Sequence, residues 1–220
     1  MKQVYIYKKF ERFWHWSQAA LILFLALTGF EIHGSFSLLG FEKAVLFHRI
    51  ASYLLLALIA FSIFWHFTTG EWKQYIPTIS KLKEQIQYYT VGIFKNAPHP
   101  TIKSARKKLN PLQAMTYLGF KLLMAPVMIL TGLLYLYYKT FDVNDIIVVS
   151  DIPLEWIAWA HTLGAWLLMA FIIVHVYMTT TGHTVTTNIK AMITGWELLE
   201  EDEQKDSETN EVDEIKKEIS

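Results

Sequence analysis

Three stretches of the chain, residues 13–30, 50–70 and 156–189, contain no Asp, Glu, Lys or Arg, and a fourth, 109–138, contains only Lys121. A bilayer core takes about 20 consecutive apolar residues as a helix, because it holds no water to bond an exposed backbone. Runs of this length predict an all-α, integral membrane four-helix bundle, with spans at about 14–33, 45–68, 112–138 and 157–181. Pro126, inside the third span, predicts a kink. The first run carries large residues throughout, unlike the short apolar core and small-residue cleavage site of a signal peptide, so a retained helix is expected. The bundle domain then covers residues 1–196. Residues 197–220 hold eleven acidic residues and few basic or apolar ones, and are expected to form a disordered or loosely helical acidic tail.

Orientation follows from basic residues, which stay on the cytoplasmic side. Lys2, Lys8, Lys9 and Arg12 precede the first span, and Lys73, Lys81, Lys83, Lys95, Lys103, Arg106, Lys107 and Lys108 fill the middle loop. The other two connections offer only Lys43 and Lys139. Both termini are therefore expected in the cytoplasm of a bacterial inner membrane protein, with the loops around 34–44 and 139–155 outside. In the middle loop Ile79, Leu82, Ile86 and Ile93 recur at helical spacing, as a helix on the membrane surface or a solvated loop helix would require.

The chemistry must come from a narrow set of groups. No cysteine is present, which removes disulfides, thiolate metal sites, iron–sulfur ligation and covalent c-type haem attachment. Twenty basic residues balance twenty acidic ones, giving no reason to expect nucleic acid as a partner. The histidines stand out instead. Seven of eight, His15, His33, His48, His66, His161, His175 and His183, lie in or beside the spans. Ionisable groups there are costly and usually face the bundle interior, so several on different helices point to a cofactor.

Their spacing says which. A mononuclear site in a bundle draws on pairs three or four residues apart, whereas the intervals here are 14 or 18. His161 and His175 lie roughly 21 Å apart along a helix and about 40° apart around it. One helix thus presents an imidazole near each membrane surface, as two stacked b-type haems in the bundle interior would use. Depth pairs His161 with His48 on the outer side. On the cytoplasmic side, His15 and His66 are equally placed opposite His175.

The segments Arg12-Phe13-Trp14-His15-Trp16, Phe47-His48-Arg49 and Asn110-Pro111-Leu112-Gln113, with His161 and with His175-Val176-Tyr177-Met178, resemble the di-haem cytochrome b subunits of respiratory complexes. These are the membrane subunits of nickel–iron hydrogenases, the gamma subunits of formate dehydrogenases and the cytochrome b subunits of thiosulfate-reductase-like enzymes. The resemblance covers residues 8–198. It implies that His15 and His175 hold the cytoplasmic-side haem, and that His48 and His161 hold the outer one. His33 and His66 fall outside its pattern, with a packed, hydrogen-bonded role the plainer one for His66.

Other residues have assignable parts. Arg49 and Lys121 could neutralise haem propionates, snorkelling to the surface being the plainer role for Arg49, and Gly29 and Gly132, each in a Leu-Thr-Gly triplet, could let a flat macrocycle approach the backbone or serve ordinary helix contacts. Asn110 and Gln113 are three apart at the start of the third span, where neutral amides could hold either oxidation state of a quinone. Asn110 before Pro111 is also a strong helix cap. Four imidazoles fill both axial positions of two irons, so the chain is read as an electron-transfer subunit between the quinone pool and an extracytoplasmic redox subunit, such as a hydrogenase, molybdoenzyme or multihaem cytochrome. A transporter with histidine relays, or a stand-alone quinol oxidase, are the alternatives.

Overall fold

The computed structural model describes residues 2–95, 97, 100–101, 108–143, 152–182 and 184–199. His183, Lys103, Arg106, Lys107 and the acidic chain from residue 200 onward lie outside the described residues. Among the described residues, four helical segments are long and apolar enough to cross a membrane: Lys9–Ile32, Phe41–Thr69, Pro111–Tyr138 and Leu154–Thr179. Their burial is that of a protein whose solvent is lipid. Thr28, Ser62 and His66 are buried, while Phe67, Leu123 and Trp159 are each about 70% exposed (69%, 70% and 71%).

The chain divides into two units, the first formed by residues 1–74, 103–108 and 186–220 and the second by 75–102 and 109–185. In the first unit α1 (Lys9–Ile32) and α2 (Phe41–Thr69) pair antiparallel, with Phe10 against Trp65 near one end and Phe24 against Phe47 near the other. Helix α1 begins five residues before the expected span because the Lys8 N–H donates to Glu11 Oε2 at 2.7 Å, closing the first turn. The turn between the helices is fastened by one buried carboxylate. Glu31 Oε1 accepts the N–H groups of Leu38, Leu39 and Gly40 at 2.7, 2.6 and 2.8 Å, just ahead of the first turn of α2. Gly70, with φ +74°, ends α2 in the left-handed conformation that glycine adopts without strain.

Also in the first unit, β1 (Lys2–Tyr5) pairs antiparallel with β2 (Trp196–Leu199), with Tyr5 opposite Trp196. Residues 197–199, where the acidic tail was expected to begin, are therefore strand. Helix α7 (Thr187–Thr194) precedes β2, and its last carbonyls are taken by α1: Trp16 Nε1 donates to Met192 O at 3.1 Å and Arg12 to Ile193 O. Between α7 and β2, Gly195 has φ +89°, and a Cβ there would stand 2.8 Å from the Tyr7 carbonyl oxygen.

A charge cluster ties the same unit together. Lys108, 5% exposed, donates to Glu11 Oε1 at 2.7 Å and Glu71 Oε2 at 3.1 Å, and Lys8 reaches Glu71 Oε1 at 2.6 Å. Burial opposes ionisation of Glu71, but the hydrogen bonds and charges of Lys8 and Lys108 outweigh it and hold the carboxyl below its ordinary value. Its hydrogen bond to Glu71 holds Lys8 above its own, against a smaller desolvation effect. Glu71 therefore contributes stability that is full above its ordinary value of 4.5 and is lost as pH falls through the lowered one. Lys8 contributes below 10.5 and loses that contribution as pH rises through its raised value. Lys108→Met would take the cation from part-buried Glu11 and leave Glu71 with Lys8 alone, so the thermal midpoint in detergent should fall by the equivalent of about 3 kcal/mol at neutral pH. The difference from the parent should shrink below the carboxylate range; an unchanged midpoint at pH 7 would mean that the cluster is merely decorative.

In the second unit α3 (Leu82–Thr90) is the middle-loop helix, shorter than its apolar spacing implied: Ile79 precedes it and Ile93 falls in a 3₁₀ turn, Gly92–Lys95. The third span consists of α4 (Pro111–Gly119), a π turn (Phe120–Met124) and α5 (Ala125–Val143). Pro126 accounts for the π turn, since its ring would strike the carbonyl four residues back and it has no N–H to donate. The wider turn, in which the Ala125 N–H donates to Phe120 O, absorbs that clash. Helix α6 (Leu154–Thr179) packs against α5 and completes the unit.

Candidate functional site

The Leu-Thr-Gly triplets organise the histidines. In the first unit Thr28 Oγ1 lies 2.9 Å from Phe24 O, the carbonyl one turn back, and 2.9 Å from His48 Nδ1 on α2. The hydroxyl has one proton and the carbonyl can only accept, so the threonine donates to Phe24 O and accepts from the imidazole. That assigns the proton to Nδ1 and the lone pair to Nε2, the tautomer a metal-ligating histidine needs. The second unit repeats the arrangement: Thr131 Oγ1 lies 2.6 Å from Val127 O and 2.9 Å from His161 Nδ1 on α6.

The glycines that follow serve these rings. A Cβ on Gly29 would stand 3.5 Å from His48 Cε1, and one on Gly132 would stand 3.2 Å from His161 Cε1. The flat group each glycine admits in this structure is thus the imidazole of the facing helix, where the sequence suggested a macrocycle. A methyl at position 29 is ordinary contact, whereas at 132 the ring has to give by a few tenths of an ångström.

The remaining candidates are held differently. His175 Nδ1 shares a 3.1 Å hydrogen bond with Tyr117 Oη, and its ring stacks on Phe171 at 5.9 Å. His15 is half-buried on α1, its ring 5.2 Å from that of Trp16. His66 is buried, donates from Nδ1 to Ser62 O at 2.6 Å, and meets the Trp14 ring edge-on at 5.4 Å. The packed, hydrogen-bonded surroundings expected of His66 are therefore present, and they give it the same tautomer as His48 and His161. His33 is exposed just past α1, and Arg49 is exposed on α2. Lys121 lies in the π turn with Nζ 3.3 Å from the centre of the Tyr75 ring, a cation–π contact.

Asn110 and Gln113 form a reciprocal capping box at the start of α4. Gln113 N donates to Asn110 Oδ1 at 2.8 Å, and Asn110 N donates to Gln113 Oε1 at 3.1 Å. Asn110 is also buried, and its Nδ2 donates to Tyr89 Oη at 2.9 Å. The capping role is thus present in full, and the amide that was to face a quinone is turned towards Tyr89. Burial pushes the Tyr89 phenol up and keeps it protonated.

Sequence reasoning missed Thr28, Thr131, Tyr117 and Tyr89. The first two had a readable signal: Leu-Thr-Gly occurs once on each of two spans, with a histidine entering the next span each time. Tyr117 and Tyr89 had none, because their partners are 58 and 21 residues away along the chain.

A sequence model of the family described as prokaryotic cytochrome b561 matches residues 6–195. The protein named "Putative cytochrome YdhU" of Escherichia coli (strain K12) is 30% identical over 202 residues, 89% of this chain and 75% of that protein. No solved structure matches the chain significantly.

Proposed function

The chain belongs to the prokaryotic cytochrome b561 family, and from that premise we propose that it moves electrons between the membrane quinone pool and a redox protein on the outer face of a bacterial membrane. Family membership makes it a multi-pass membrane cytochrome with haem b; the number of haems, the quinone and the partner are the proposal. One observation carries it: two imidazoles on two long apolar helices, each held through Nδ1 by a threonine and backed by a glycine.

The residues fit the group. Haem b, when bound, supplies an iron that changes between the ferric and ferrous states. As the sequence resemblance implies, His48 and His161 would hold one haem and His15 and His175 the other. Held by histidines alone, the group would supply electron transfer and leave substrate chemistry to the partner. The threonines hold His48 and His161 in the tautomer that presents Nε2, and Tyr117 holds the His175 ring by a hydrogen bond at Nδ1. Arg49 and Lys121 are the cations assigned to propionates. Neutral groups around Asn110, Gln113 and Tyr89 are assigned to quinone exchange, and the basic arm and middle loop to the cytoplasmic side.

The test is a haem count with a redox titration. The purified protein should contain two b haems per chain, both low-spin in the reduced-minus-oxidised spectrum and both reducible by a short-chain quinol. A ratio of one removes the two-haem assignment. Reduction by dithionite but by no quinol removes the quinone link.

A further inference from the structure

The structure assigns Thr28 and Thr131 a task beyond helix packing: we infer that they are positioning residues that orient the axial imidazoles and tune the reduction potential of the haem on His48 and His161. This rests on the ligation proposed above.

The argument starts from duplication. His48 and His161 are each the eighth residue of their helices, Phe41–Thr69 and Leu154–Thr179. Each meets a threonine from the preceding span at 2.9 Å, and in each case the glycine after that threonine faces Cε1 of the same ring. A single such contact is an ordinary buried hydrogen bond. Two copies with the same residue types, the same ring nitrogen and the same ring edge specify a function for the ring.

Threonine suits that function for physical reasons. Inside a bilayer a carboxylate partner would carry a heavy desolvation penalty, whereas a helical threonine places its hydroxyl proton on the carbonyl one turn back and keeps an accepting lone pair. Thr28 is fully buried at 0% exposure, so no water competes for that lone pair. Accepting from Nδ1–H has two consequences. It stops the ring rotating about its bond to Cβ, which fixes the plane in which the imidazole meets the iron. It also makes Nε2 a better electron donor, which favours ferric iron and lowers the potential. A neutral hydroxyl does this less than a carboxylate, leaving the potential moderate and adding no charge.

Thr28→Val and Thr131→Val keep the shape and remove the acceptor. Each should retain two haems per chain, move the potential of the same single haem to a more positive value and alter its low-spin electron paramagnetic resonance signal. Thr28→Ser and Thr131→Ser should restore both readouts. Loss of haem in the valine variants with retention in the serine variants also supports the inference. Loss in the serine variants overturns it, because the side-chain methyl and not the hydroxyl would then matter. Unchanged potential and resonance signal with full haem content overturn it as well. The ligation reading fails by a separate measurement: if His48→Ala and His161→Ala keep both haems, the histidines are not ligands and this inference falls with them.

Discussion

His48→Ala and His161→Ala should each abolish one haem, the same one, leaving one low-spin b haem per chain in place of two. The effect is complete rather than graded, because alanine offers no donor atom and a haem tethered by one imidazole in a lipid-facing protein loses its low-spin signature and dissociates. The two substitutions should also be non-additive, since the second removes nothing that the first has left. His175→Ala should remove the other haem. The informative comparison is between His15 and His66. His66 is the more buried of the two and has its Nδ1 proton fixed by the Ser62 carbonyl, yet the sequence resemblance assigns the iron to His15. His15→Ala should therefore lose a haem. His66→Ala should keep both and lose stability instead, by about 2 kcal/mol for a buried ring packed against Trp14 and Trp65. The reverse pattern would transfer the ligand role to His66.

The four helices were legible because a bilayer imposes one simple requirement, a long run without charge, and three of the runs have no charged residue at all. Their ends were less so. Helix α1 reaches back to Lys9 through a Glu11 contact that hydropathy does not register, and α3 ends at Thr90, leaving Ile93 to the 3₁₀ turn Gly92–Lys95. The proline at 126 announced a disturbance but not its form, since a kink and a π turn relieve the same clash. Of the candidate site, the histidines stood out by type and depth alone. What surrounds them did not, because a Thr28–His48 bond depends on how two helices face each other, and neither helix shows a hydrophobic stripe sharp enough to tell its inner side. The strand pair joining residues 2–5 to 196–199 was out of reach for the same reason: four-residue strands at opposite ends of a chain have no local signature.

Asn110→Asp should separate the two roles available to the start of the third span. In the parent protein Asn110 Oδ1 caps α4 and its Nδ2 donates to Tyr89 Oη. Aspartate keeps the first contact, and its charge at a helix N-terminus is favourable, so stability should change by less than about 1 kcal/mol. The second contact has to reverse, because a carboxylate can only accept. Tyr89, kept protonated by burial, must then turn its hydroxyl proton towards position 110 and is no longer able to offer it elsewhere. If a quinol exchanges electrons beside this pair, the hydrogen-bond set that accommodates both its oxidation states is broken, and the rate of haem reduction by quinol should fall about tenfold, the equivalent of one ordinary hydrogen bond. Asn110→Ala loses the cap as well, so it should combine the slower rate with a loss of about 1 kcal/mol. Haem content is the control in both, since neither residue is near a ligand in sequence. A parental rate in Asn110→Asp with a destabilised Asn110→Ala would assign Asn110 to the cap alone and move the search for the quinone to the surroundings of His66.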